Sequence, residues 1–313
     1  MKVTNSMIAK DLRFMGKIYK KLLTYPILSN PQPDNQKSKR NRRNKDSIYC
    51  SRPDGSMMRV LVKQPKKRIS EKLPGVLWIH GGGYFSGSPE QLNVTMCKTI
   101  KEKCVIVSPE YTLSLEAPFP AALEDCYLAL KWMKEHAEEL GIREDQLFVG
   151  GESAGGGLTA ALCLYARDKE EVNIAFQMPL YPMIDCRMDS KSMKDNDAPV
   201  WNESDSLNAW NLYLANQKDR ISPYASAALT DDYQGMPPAI TFVGTIEPFY
   251  CETIAYMENL KKSGTFAKYA TFDGCYHGFD TLVPWSKEAK EAKQFFIAEF
   301  DYACKTFFAP QNQ

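Results

Sequence analysis

Short, almost unbroken apolar runs alternate along this chain with longer stretches in which apolar residues return every three or four positions. The runs predict strands at Met57 to Val62, Val76 to Ile79, Val105 to Ser108, Leu147 to Gly150, Phe176 to Leu180, Ala239 to Val243 and Tyr269 to Phe272. The longer stretches predict helices over Phe119 to Leu140, Gly156 to Arg167, Tyr250 to Ser263 and Ser286 to Phe307. Strand and helix taking turns in this way predicts an α/β fold, with a mostly parallel central sheet and helices on both faces, rather than segregated α+β layers. Two further segments carry a helical stripe outside that alternation. One is Ile8, Leu12, Met15, Tyr19 and Leu22; the other is Leu207, Trp210 and Leu214, within Ser204 to Gln217 after the polar stretch Asp185 to Asp197.

Composition narrows the reading without redirecting it. The chain has 313 residues, 44% of them hydrophobic, enough for one large core in a single catalytic domain. Its formal net charge of +1 supplies no global field for nucleic acid or an anionic membrane. A local exception runs from Lys37 to Lys45, beside Pro31-Gln32-Pro33, and reads as a solvated loop rather than a nucleic-acid or lipid contact. No apolar run is long enough to span a bilayer. The nine cysteines form no C-x-x-C pair, which argues against zinc; their odd number and the lack of a signal peptide predict reduced thiols in a cytoplasmic protein. Cys275, two residues before His277, reads as a packed thiol with oxidation sensing as the alternative.

The candidate chemistry begins at Gly151-Glu152-Ser153-Ala154-Gly155, which joins the strand Leu147 to Gly150 to the helix beginning at Gly156. A serine on a sharp strand-to-helix turn is exposed at the sheet's edge, and flanking glycines let neighbouring backbones approach; the Ala154 N–H at the helix start can face an oxyanion. The five residues alone could also be a phosphate-binding or purely structural turn. His80-Gly81-Gly82-Gly83, directly after the strand Val76 to Ile79, adds a loop with uncovered N–H groups. No G-x-G-x-x-G and no Gly-Lys-Ser accompany it, so an oxyanion loop fits better than a phosphate cradle.

Three histidines are available as a general base. His136 lies within a predicted helix, and His80 belongs to the glycine loop, where it supports the loop by hydrogen bonds. His277, in the glycine-flanked loop after Tyr269 to Phe272, remains. A carboxylate must hold its tautomer, and the chain order serine, acid, histidine points to Glu247, just past the strand Ala239 to Val243. Glu252, inside the next helix, and Asp273, close to His277 in sequence, are the runners-up.

These motifs together resemble the hormone-sensitive-lipase-like family of α/β-hydrolase carboxylesterases. The resemblance runs from about Val76 to Phe300 and includes the glycine loop, Ala117-Pro118-Phe119-Pro120-Ala121-Ala122, the serine turn, Asp197-Ala198-Pro199-Val200-Trp201, Ser222-Pro223-Tyr224-Ala225-Ser226, Glu247-Pro248-Phe249 and His277-Gly278-Phe279. It implies the α/β-hydrolase fold, with Ser153 as nucleophile, Glu247 and His277 completing a triad, and an oxyanion hole of the Gly82, Gly83 and Ala154 N–H groups. It also implies a helical cap made by the segment before residue 46 and an insertion around 185–220, on a catalytic domain of 46–313, and it admits a homodimer through a sheet edge or a helix. No cofactor and no metal are needed for such a site.

Three departures stand out. Glu247 occupies a position where the family commonly has aspartate. Tyr111-Thr112-Leu113-Ser114-Leu115 stands where it usually has Tyr-Arg-Leu-Ala-Pro, so a guanidinium is missing, and Glu152 precedes the serine in place of aspartate or threonine. The function expected from the resemblance is hydrolysis of small-molecule acyl esters of short to medium chain. Amide or acetyl-group hydrolysis by the same residues is the alternative, and a non-catalytic small-molecule receptor on the same fold is the competitor from another class.

Overall fold

The computed structural model describes residues 1–22, 46–217 and 220–312. An eight-stranded sheet runs through the molecule in the order β1-β2-β4-β3-β5-β6-β7-β8. The strands are β1 (Ser47–Ser51), β2 (Met57–Lys63), β3 (Leu73–Ile79), β4 (Val105–Pro109), β5 (Ile142–Glu152), β6 (Phe176–Leu180), β7 (Ala239–Gly244) and β8 (Ala267–Phe272). From β4 to β8 every neighbouring pair is parallel, while β2 pairs antiparallel with both β1 and β4. The helices are α1 (Arg13–Leu22), α2 (Ala121–Glu135), α3 (Ala137–Leu140), α4 (Ala154–Lys169), α5 (Glu203–Tyr213), α6 (Tyr250–Lys262), α7 (Phe279–Leu282) and α8 (Lys287–Thr306).

Two cores explain why the strands read as unbroken apolar runs. Leu77, Ile79, Val105, Val107 and Val149 point to one face, where they pack with residues of α2, α4 and α6. Their neighbours Val76, Trp78, Ile106 and Phe148 point to the other, against Phe296 and Phe300 of α8. A strand covered on both sides has no face left for polar residues, so the period of two is hidden in the sequence.

All seven predicted strands are present; β6 keeps its predicted bounds and the other six are longer, by one to seven residues. The eighth, β1, was not anticipated. It is an edge strand with Ile48 and Tyr49 exposed and a single buried side chain, Cys50, and so lacks the apolar run that marks the others. The helix expected over Phe119 to Leu140 is two helices, because His136 leaves helical geometry. Its N–H and Nδ1 both bond the Trp132 carbonyl, and its ring stacks on Trp132. In α5 the buried stripe is Ser206, Ala209, Trp210 and Tyr213; Leu207 of the expected stripe is half exposed and faces outward. The basic run Lys37 to Lys45 and the end of the segment before residue 46 lie outside the described residues.

A guanidinium from another part of the chain stands beside Thr112, with Arg52 Nη2 3.4 Å from Thr112 Oγ1. Arg52, in the β1–β2 turn, holds the buried Asp125 of α2 through Nε (2.6 Å) and Nη2 (3.0 Å). Thr112 adds its N–H and Oγ1 to the same carboxylate, each at 2.7 Å. Arg52→Ala is expected to destabilise the protein by about 2 kcal/mol, because it strips a buried carboxylate of its counter-charge, a cost lowered here by partial solvent screening. Adding Thr112→Arg to that variant is expected to recover most of the loss in urea unfolding. Additive destabilisation by the two changes would refute the exchange.

Candidate active site

Ser153 follows the last residue of β5 and precedes the first of α4, with φ +56° and ψ −119°. So unusual a conformation for a residue with a side chain persists only because its surroundings dictate it. The Ser153 N–H donates to the Leu180 carbonyl, and the Ser153 carbonyl accepts from Gly157 and Met183, which ties the turn to α4 and to the end of β6. The flanking glycines are required by close approach. A β-carbon at Gly151 would sit 2.4 Å from the Ile79 carbonyl oxygen, and one at Gly155 would sit 2.1 Å from it.

The carboxyl ends of β7 and β8 bring the other two groups to this point. His277 Nε2 lies 2.8 Å from Ser153 Oγ, and His277 Nδ1 lies 2.5 Å from Glu247 Oε2. The second Glu247 oxygen accepts the Gly244 N–H at 2.9 Å, so the glutamate curls back onto the end of its own strand. That contact shows how a side chain one methylene longer than aspartate is accommodated. Glu247 is fully buried, while Ser153 and His277 retain slight exposure. The runners-up are elsewhere: Asp273 accepts from Thr245 Oγ1, and Glu252 is buried in α6. His136 sits at the α2–α3 junction.

The glycine loop follows β3. Gly82 has φ +117°, and a β-carbon there would meet the Ser86 carbonyl oxygen at 2.2 Å, so only glycine fits. His80 lies beneath the loop: its Nδ1 pairs with the Gly81 carbonyl, its ring stacks on Tyr111 at 4.1 Å, and its own carbonyl accepts from Tyr111 Oη. Ser114, where the family usually has alanine, bonds the Tyr84 carbonyl through both its N–H and its Oγ and so fixes the far end of the loop. First-turn N–H groups of a helix have no intrahelical acceptor, and Ala154 is the first residue of α4.

Several neighbours of the site were not anticipated as such. Tyr181 and Phe249 stand edge-on to the His277 ring, each with centroids 5.1 Å away. Both follow the carboxyl end of a parallel strand, a position at which ligands and reacting groups converge in open α/β sheets, and that was the available signal. Asp280, three residues past His277, accepts from Tyr181 Oη at 3.4 Å. Glu152 is buried under the serine and accepts from Trp78 Nε1 at 3.0 Å.

Burial, reinforced by the negative charge of Asp280, pushes the Glu152 carboxyl up to about 8. The carboxyl is therefore neutral when folded at pH 7, and its contribution to stability is complete near pH 4 and lost as the pH rises through 8. Glu152→Gln cannot ionise. It is expected to flatten the fall in stability between pH 5 and 9, which in the wild type reaches at most about 1.4 kcal/mol per pH unit from this group. Parallel stability curves for the two proteins in urea would contradict this.

A family model described as the alpha/beta hydrolase fold matches residues 76–281. The chain belongs to the hormone-sensitive-lipase-like α/β-hydrolase family. It is 31% identical over 231 residues to carboxylesterase NlhH of Mycobacterium tuberculosis, a match covering 71% of this chain and 72% of that one. It is 30% identical over 229 residues to an arylesterase of Saccharolobus solfataricus, covering 70% and 72%. Among solved structures, a bacterial heroin esterase superposes on this α/β hydrolase with a TM-score of 0.78 at 29% identity, covering 82% of this chain and 83% of the other. Within this hydrolase all nine cysteines are unpaired; Cys275 is buried, which pushes its thiol well above the ordinary range. Among the described residues no helix is long and apolar enough to cross a membrane.

Proposed function

We propose that this protein is a serine carboxylester hydrolase acting on short to medium acyl esters of small molecules. The observation that carries the reading is the hydrogen-bonded chain from Ser153 Oγ through the two His277 nitrogens to Glu247. His277 Nε2 takes the Ser153 proton as Oγ attacks the ester carbonyl, and Glu247 stabilises the imidazolium that results. The Gly82, Gly83 and Ala154 N–H groups receive the oxyanion. The tetrahedral intermediate expels the alcohol, which takes the proton from His277 and leaves an acyl-Ser153 ester; water, activated by the same histidine, then releases the acid. The carboxylesterases and arylesterase to which the chain is similar support an ester as substrate.

The segment before residue 46, described over residues 1–22, and the insertion around 185–220 flank this site as parts of a cap. Ala9 donates to the Gly274 carbonyl in the His277 loop, and Val3 donates to Asp197 at 2.6 Å. The test is p-nitrophenyl acyl ester turnover with rapid mixing, beside labelling by a fluorophosphonate. An initial burst of one p-nitrophenol per protein, with the label on Ser153 by mass spectrometry, is the expected result; turnover without label at Ser153 would overturn the mechanism.

A further inference from the structure

Trp201 is placed over the candidate site by a backbone that is otherwise avoided. Its N–H bonds the Pro199 carbonyl at 2.9 Å around Val200, whose φ is +75°. This is a γ-turn of the rarer, positive-φ kind, with a β-branched residue at its centre. Such an outlier persists only when its surroundings over-determine it, and here they do. The indole Nε1 donates to Ser206 Oγ at 2.9 Å, and Asn202 and Asp205 close a capping box at the start of α5. Asn196 donates to the Ile246 carbonyl beside Glu247, and Asp197 is held by Val3 and Lys20.

The strained turn leaves the indole on the glycine loop. A β-carbon on Gly83 would lie 2.6 Å from Trp201 Cη2, and the indole stacks beside Phe85 with centroids 6.5 Å apart and planes 21° from parallel. Its centroid is 6.2 Å from His277, farther than those of Tyr181 and Phe249 at 5.1 Å. Trp201 is therefore offset from the imidazole toward the loop. The leaving alcohol must point at His277 Nε2 to receive its proton, so the group that passes beneath the indole is the acyl chain.

We infer that Trp201 is the specificity-determining wall of the acyl pocket and sets the upper limit on the acyl chains this enzyme accepts. The inference rests on the esterase reading. Without the wall, added methylenes can be buried, each worth about fourfold in kcat/KM. The experiment measures kcat/KM for p-nitrophenyl acetate, butyrate, hexanoate, octanoate and decanoate with wild type, Trp201→Phe and Trp201→Ala. The octanoate-to-acetate ratio is expected to rise at least tenfold in Trp201→Ala and by an intermediate factor in Trp201→Phe. A ratio within one sample does not depend on the fraction of protein folded, so mere loss of packing does not move it. Wild type with Ser153-dependent turnover and an unchanged ratio in both variants overturns this inference alone. Wild type that hydrolyses no ester overturns the esterase reading and the inference with it.

Discussion

Ser153→Ala is expected to lower kcat for p-nitrophenyl butyrate by about 10⁶-fold, with substrate binding and fold intact. The change deletes one oxygen, the one 2.8 Å from His277 Nε2, and leaves the glycine loop and the rest of the chain in place. What survives should be only the rate that an oriented ester and water gain from the oxyanion donors, about 10³-fold over solution. Alanine is smaller than serine and adds no clash at φ +56°, so the variant should melt within a few degrees of wild type. Initial rates and thermal unfolding on the same preparation check both halves. Retention of even one per cent of the wild-type rate, with contaminating wild type excluded, would place the nucleophile elsewhere.

Glu247→Gln is expected to cost about 10⁴-fold in kcat with little change in KM. The reason lies in the two oxygens of the buried glutamate, one accepting the Gly244 N–H and the other facing His277 Nδ1. A glutamine has a single oxygen, and the Gly244 N–H claims it. The amide NH2 then faces Nδ1 and donates to it, which forces the proton onto Nε2, where it points at Ser153 and cannot accept the serine's proton. Glu247→Asp restores the common residue of the family in a pocket shaped for one more methylene, and should retain more activity than the amide. A glutamine variant within tenfold of wild type would show that this carboxylate does not set the tautomer.

The elements that were legible in the sequence are those whose signal is local. β6 is a run of residues buried on both faces, and the serine turn is written as a contiguous strand, G-x-S-x-G and helix. β1 was illegible because an edge strand buries too little to need an apolar run. The break at His136 was illegible because alanines and glutamates continue the helical composition through it, and only the stacking of His136 on Trp132 marks the junction. Among the acids, chain order pointed to Glu247, but nothing in the order shows that Glu252 and Asp273 lie away from His277.

By itself the sequence determined which side chains were available and how strand and helix alternate, since hydrophobic period and turn chemistry act between residues close along the chain. That was enough for an α/β hydrolase, the serine turn, the glycine loop and a short choice of bases and acids. Only the tertiary structure decided which distant groups meet: Ser153 with His277 across 124 positions, Arg52 with Asp125 across 73, and Trp201 over Gly83. Those contacts depend on strand order and on how each turn leaves its strand. Packing energy summed over the whole core selects that arrangement, and no local stretch of the chain encodes it.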